Sequence, residues 1–441
     1  MRPRTWVLVL AAVFAVLQLA NVTGRDTPDS KNYVSYALTL GGAGKRAAAA
    51  ATIDWACAGR ASLARRGQSV DVVRFHRASP TRRVLAECRA DDGGLVERRL
   101  RAGQTDGHIA PFVAPRLRRI FEVRPGYPLF LLPFVKVFGV TWGVWLASVA
   151  VTAAGGILAF LVLRTLSVPV PFALAGQSLY CVLPCGTTAM RPMAEGLMLA
   201  LTLAAVWGCA LALNRRPRAG AALVAGSLLT LFAVKHSQSL FLGLCLGAAG
   251  AAVAVRRRLC GRPVGRGVVA IAVTGWCAAL GTVLLARLLH YPSESESLQD
   301  LLTDHFHRPD RAHPWPEFLH LEASFWIEWV RRQFMDPLFL AALAAGSWGA
   351  LRRPAFGCFL LAAAFTGILT QAGHPDINIW GERLIVLAWL LPVVGIPLLL
   401  EPVVGAGGRA PRPPAPPAPA PGGGGGGPAP PPPRTREAER W

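Results

Sequence analysis

Apolar stretches close to membrane-spanning length recur along almost the whole sequence. They fall at roughly 5–23, 141–163, 168–185, 196–213, 219–234, 239–255, 267–289, 336–351, 354–372 and 383–400. A helix crossing the hydrocarbon core needs about 20 predominantly apolar residues. The expected fold is therefore all-α, a polytopic membrane protein with about ten transmembrane helices. Composition agrees, with 53% hydrophobic and 16% charged residues, where soluble domains carry about 25% charged.

Sidedness follows from the short basic connections. "MRPR" at the start, "NRRPR" at 214–218, "RRRLCGRPVGR" at 256–266 and "LRRP" at 351–354 share one side if ten spans are counted. The positive-inside rule makes that side cytoplasmic and puts both termini there, in a multi-pass protein of the cell membrane. Residues 24–140 then form a large extracytoplasmic loop, whose length exempts its arginines from the rule. Residues 290–335 form a second one. Residues 1–400 are read as one transmembrane domain. The tail 401–441, with "GGGGGG" and "PPPP", cannot bury a core and is expected to be disordered in the cytoplasm.

The chain holds 46 Lys and Arg against 25 Asp and Glu, a net charge of +21. So basic a chain invites a nucleic-acid reading, but the arginines punctuate apolar spans and form no single patch. Lipid bilayer, and no nucleic acid, is the expected surrounding. Residues 1–24 have the basic start and apolar middle of a signal peptide. "LQLANVTG" offers no A-x-A cleavage site, so the first helix is read as retained.

Within the first loop, a helix is expected at 29–40 and another in the alanine-rich stretch that follows. "RPGYPLFLLPFVKVFG" at 124–139 is apolar but broken by prolines and Lys136, and reads as a juxtamembrane or re-entrant helix. Trp315, Trp326 and Trp329 in the second loop suit an interfacial belt. Cys57 and Cys88 share the first loop, where an oxidising compartment leaves a disulfide open. The other seven cysteines lie in or beside spans, with no metal-like spacing, and are read as packing.

Polar residues gather at the same ends of several spans. Asp26 and Asp29 follow the first. Arg191 and Glu195 precede the fourth, Lys235 and His236 lie between the fifth and sixth, and His374, Asp376, Glu382 and Arg383 precede the last. Charges so near a bilayer core often face a cavity or mark a substrate path, although end-of-helix charges also snorkel to the interface. Asp29, Tyr33 and Ala37 share one helix face by their spacing. Asp29 reads either as a positioned base or as an ordinary acid near a helix start. "DHFHRPDRAHP" at 304–314 looks at first like a metal-binding loop. It lacks a helical H-x-x-x-H pair and is broken by prolines, so a surface loop covering the site is the better reading.

These motifs, in this order, resemble the GT-C glycosyltransferases: an acid in "DSKNY" after the first span, then "YPLFLLPFVKVFG" before the second. "RPMAEGLMLALTL" and "GERLIVLAWLLPVV" are similar to later segments of that family, with Leu384 where it carries tyrosine. The resemblance runs from residue 5 to about 400. It implies inverting transfer of a hexose or pentose from a polyprenyl-phosphate-linked sugar to a cell-envelope glycan or protein acceptor. By the same resemblance Asp29 is the general base, with Asp26 behind it. Lys235 and Arg383 hold the phosphate, supported by Arg191, His236 and Arg124. Some family members use a divalent cation and others none, so the metal stays open. Two other classes compete. A transporter would show internal repeats, which the chain lacks, and a non-catalytic scaffold would keep the fold without the chemistry.

Overall fold

A computed structural model describes residues 2–378 and 383–407. Among the described residues every regular element is helical. The chain begins with α1 (Pro3–Gln18), then lays down four helices before the next long apolar one. These are α2 (Ser30–Leu40), α3 (Lys45–Ser69), α4 (Thr81–Arg101) and α5 (Pro115–Glu122). The membrane-embedded part continues with α6 (Gly126–Thr165), α7 (Val170–Val182), α8 (Pro184–Ala189), α9 (Ala194–Leu213), α10 (Pro217–Leu259) and α11 (Arg266–Leu288). A second polar segment holds α12 (Glu294–Leu302) and leads into α13 (Pro314–Met335). Then come α14 (Leu338–Leu351), α15 (Pro354–Ala372), and a 3₁₀ segment (Leu384–Trp389) that runs into α16 (Leu390–Gly407).

The count of about ten spans is not confirmed. Among the described residues seven helices are long and apolar enough to cross a bilayer, or eight if α13 and α14, bent by 90°, make one span. The physical reasons are local. α7 has only 13 residues and stops before Pro184. α14 has 14 residues and turns sharply from α13 across Asp336 and Pro337. The expected spans 219–234 and 239–255 are the two arms of α10, which stands as one of the seven and loses helical geometry at Lys235 (φ −159°, ψ 92°). Ser239 Oγ donates to Leu228 O at 2.8 Å. A straight helix would put residues 11 apart about 16 Å from each other at 1.5 Å per residue. The two arms of α10 therefore fold back side by side at Lys235.

A similar reversal occurs in α6 at Gly139, where φ is +72° and ψ 174°, a region essentially confined to glycine. A Cβ on Gly143 would lie 2.6 Å from Phe134 O, so the 126–138 arm packs back against the long arm. That arm is the element expected as juxtamembrane or re-entrant.

One core runs through α6, α7, α9, α10, α15 and α16, with Leu203, Leu231, Leu242, Phe359 and Val393 fully enclosed. Where lipid removes the usual hydrophobic drive, close backbone approach and polar clasps contribute instead. Gln238 of α10 supplies such a clasp, donating to Thr366 Oγ1 at 2.9 Å and accepting from Thr370 Oγ1 at 3.1 Å. Arg353 pairs with Glu401 at 3.0 Å. α16 runs past the expected end at 400, and residues 408–441 of the expected tail lie outside the described residues.

The first loop is helical, as expected. Cys57 of α3 and Cys88 of α4 form a disulfide, beside Arg89–Asp54 (2.8 Å) and Lys31–Asp92 (3.0 Å). Arg116 of α5 ties this loop to the second one, reaching Glu296 at 2.6 Å and Asp310 at 2.7 Å over the Phe306 ring.

Candidate active site

Asp29 stands just before α2, where an acid ordinarily accepts from first-turn N–H groups. It makes no such cap bond. Its carboxylate turns instead to Arg383, whose Nη2 lies 2.6 Å from Asp29 Oδ2. The same Nη2 is 2.7 Å from Glu195 Oε1, and Arg383 Nε donates to that oxygen at 2.9 Å. Glu195 sits in the first turn of α9, where the helix dipole favours an acid. Glu195 is 3% exposed and Arg383 8%. Ions so enclosed persist only when densely paired. Burial on its own would lower the Arg383 pKa; Glu195 and Asp29 outweigh it and hold the guanidinium charged.

Four further basic side chains close on this cluster. Lys235, buried at the reversal of α10, feels the charges of Glu195, Arg124, Arg383 and Asp29. Arg124 comes from the link between α5 and α6. Two residues on, a Cβ on Gly126 would come 2.7 Å from Val234 Cγ2, so only glycine lets that link settle on the α10 reversal beside Lys235. His236 lies edge-on to Tyr291 with centroids 5.1 Å apart, within the influence of Arg124 and Lys235. His374, after α15, is pushed down to about 3 by burial first and then by Lys235, Arg124, Arg383 and His305. Its imidazole is neutral at ordinary pH.

Unmade hydrogen bonds in this cluster point to an anion. Among the described residues, Arg124, Lys235 and Arg383 share the field of the Asp29 and Glu195 carboxylates. Arg124 Nε and His236 Nδ1 are buried without a hydrogen-bond partner, and a buried donor left unmade asks for a ligand.

Asp26 occupies different ground. With Thr27 and Pro28 it lines two cavities at once. One, of about 450 Å³, also holds Asp29, Lys31, Arg60 and His305; the other, of about 550 Å³, holds Phe14, Arg25 and Arg191. Burial pushes the Asp26 carboxyl up, against the pull of Arg60 and Lys31. Exposed Arg191 is thus on the second cavity's wall with Asp26, while Lys235, Arg383, Arg124 and His236 gather around Asp29.

The 304–314 loop lies over the first cavity, with His305 and His307 on its wall. Asp304, His305 and Phe306 all have positive φ, at 55°, 57° and 62°. Each such non-glycine residue costs roughly 1–2 kcal/mol. His305 Nδ1 bonds Asp300 Oδ1 at 3.0 Å, and that bond raises its pKa. Among the described residues the one grouping with metal-like spacing is Cys57, Cys88 and Asp92, and there the sulfurs are joined to each other. No divalent-cation ligand set is assigned.

Sequence reasoning named Glu195 among the polar clusters but gave it no role. The available signal was an acid in the first turn of an otherwise apolar helix. His374 was passed over in the same way, and Glu382 lies outside the described residues. The chain matches no protein-family model, no curated protein and no solved structure.

Proposed function

We infer that this membrane protein is a glycosyltransferase. It transfers a sugar from a polyprenyl-phosphate donor to a cell-envelope acceptor, with its site on the extracytoplasmic side and both termini cytoplasmic. The observation that carries the reading is the gathering of Arg124, Lys235 and Arg383, with the Arg124 Nε unpartnered, around a carboxylate that follows on a membrane helix. A lipid-linked phosphosugar has its chain in the bilayer and its reactive carbon just above it, which is the height of Asp29.

The chemistry is one displacement. Asp29 removes the acceptor hydroxyl proton, the acceptor oxygen bonds the sugar's anomeric carbon, and the bond from that carbon to the phosphate oxygen breaks. The electron pair leaves on the phosphate, which Lys235, Arg383 and Arg124 receive. Arg offers a planar fork of donors to phosphate oxygens and Lys a point charge, and fixed positive groups act most strongly where charge develops. Glu195 holds Arg383 in place from the other side.

A specific observation favours Asp26 as an alternative base. Asp29 already receives the Arg383 guanidinium, whereas Asp26 faces both cavities with its pKa raised by burial, nearer to what base catalysis at neutral pH favours. The test is transfer of radiolabelled sugar from polyprenyl-phosphate donors in membranes, comparing the native chain with Asp29→Asn and Asp26→Asn. Incorporation lost only in Asp29→Asn supports the primary assignment, and loss only in Asp26→Asn moves the base. No incorporation from any donor overturns the transferase reading and leaves a transporter or scaffold.

A further inference from the structure

The connection between α3 and α4 carries a group of side chains that the site does not use. Residues 65–83 hold six arginines, at 65, 66, 74, 77, 82 and 83, against the single acid Asp71. Between them Val70, Val72, Val73 and Phe75 are 81%, 88%, 62% and 63% exposed. So much bare apolar surface at one tip marks an interaction site.

The tip is built rather than loose. Asp71 Oδ1 accepts from the N–H of Val73 and of Arg74, and Phe75 N–H donates to Asp71 O, closing one helical turn. Gln68 Nε2 donates to Arg77 O and Ala78 O, fastening the far side of the turn to the end of α3. Beside the apolar tip lies a cavity of about 650 Å³ lined by Arg74, Arg77 and Arg83.

What covers this tip follows from the course of α3. Trp55 shares a pocket wall with Val144 and Trp145 near the start of the long arm of α6. One turn later Gly59 packs on Gly24, and another turn brings Leu63 and Arg66 to the same residue. Arg66 Nη2 also donates to Thr23 O at 3.3 Å. Thr23 and Gly24 follow immediately on α1 and its 3₁₀ extension to Asn21. α3 therefore lies across the ends of spanning helices and runs from α6 toward α1. α1 is the outlying helix, with only 11% of its apolar window buried. Residues 70–77 continue from this end of α3, about one turn beyond the Arg66 contact with Gly24.

We propose that the Val70–Arg77 turn is a membrane-surface anchor. Val72, Val73 and Phe75 enter the leaflet facing the loop, while Arg74, Arg77 and Arg83 meet the phosphates of its headgroups. Apolar tips flanked by arginine bind interfaces through buried apolar area plus attraction to anionic lipid. Anchoring this end holds α3 flat, and with it the Gly59 contact to Asp26.

The test places an environment-sensitive fluorophore on Val72→Cys, in full-length protein whose exposed Cys260 and Cys277 are replaced by serine. The protein is reconstituted in nanodiscs of phosphatidylcholine with phosphatidylglycerol, and a probe on Glu87→Cys serves as the solvated reference. A spin-labelled lipid should quench the Val72 probe at least about threefold more than the Glu87 probe, and iodide should quench it less. Replacing Arg74, Arg77 and Arg83 by glutamine should remove the dependence on phosphatidylglycerol. Equal iodide access at both positions, with no lipid quenching, overturns the proposal. Shielding from iodide without lipid quenching overturns it too, and assigns the tip to a protein contact.

Discussion

Arg383 reaches back 354 positions along the chain to bring its Nη2 within 2.6 Å of Asp29 Oδ2. The same nitrogen holds Glu195, 188 positions away by its Nε bond. One guanidinium thus joins the start of α2, the start of α9 and the segment leading into α16. Removing it strands the enclosed Glu195 and the half-buried Asp29. Arg383→Met should therefore lower stability by about 3–5 kcal/mol, read as a large fall in melting temperature in detergent. An unchanged melting temperature would mean the cluster is not structural.

Titration of His374 gives a signed pH prediction. Its folded pKa is pushed down to about 3, below an unfolded value near 6.5. The unfolded chain then binds the extra proton first, so this residue's contribution is present above pH about 6.5 and is lost as pH falls toward 3. His374→Gln should flatten the decline in melting temperature between pH 6.5 and 5. Parallel curves for variant and native protein would contradict the placement of His374 among Lys235, Arg124 and Arg383.

Gly139 makes the fold-back of α6 possible, with φ +72° and ψ 174°. Gly139→Ala should cost about 1–3 kcal/mol, because a Cβ is not tolerated in that region. Thermal unfolding in detergent measures the loss, and a neutral result would place the turn elsewhere.

The Cys57–Cys88 bridge closes a separation of 31 residues. The chain-entropy relation assigns such a loop about 4 kcal/mol. Cys57→Ser with Cys88→Ser should leave the spanning helices intact and increase hydrogen exchange in α3 and α4. Unchanged exchange there would show that Arg89–Asp54 and Lys31–Asp92 suffice.

Much of this was legible from residue types in order. The apolar runs gave the helical class, and "VKHS" marked the reversal in α10, because a lysine inside 43 otherwise apolar-rich residues needs a break and a partner. "RPGYPLFLLPFVKVFG" marked the re-entrant arm, because a short apolar stretch broken by prolines and Lys136 cannot comfortably span. The number of spans was not legible: whether α14 continues α13 or turns by 90° is decided by packing, and hydropathy is blind to it. Nor was the partnership of Glu195 with Arg383. Each read alone is an end-of-helix charge, and only the fold brings positions 188 apart into one bond. Asp29 could be read as a helix-start acid or as a site residue; the fold pairs it with Arg383 and leaves it without a cap bond.

The central claim is that the bases around Asp29 hold a lipid-linked phosphate, and equilibrium binding of radiolabelled polyprenyl phosphate tests it most directly. Native protein in detergent would be compared with Lys235→Gln, Arg124→Gln and Arg191→Gln. Loss of a charged hydrogen bond to phosphate, worth roughly 1.5–3 kcal/mol, should weaken binding about 10- to 100-fold in the first two variants and leave Arg191→Gln close to native. Equal binding in all four proteins, or a loss confined to Arg191→Gln, would contradict the account.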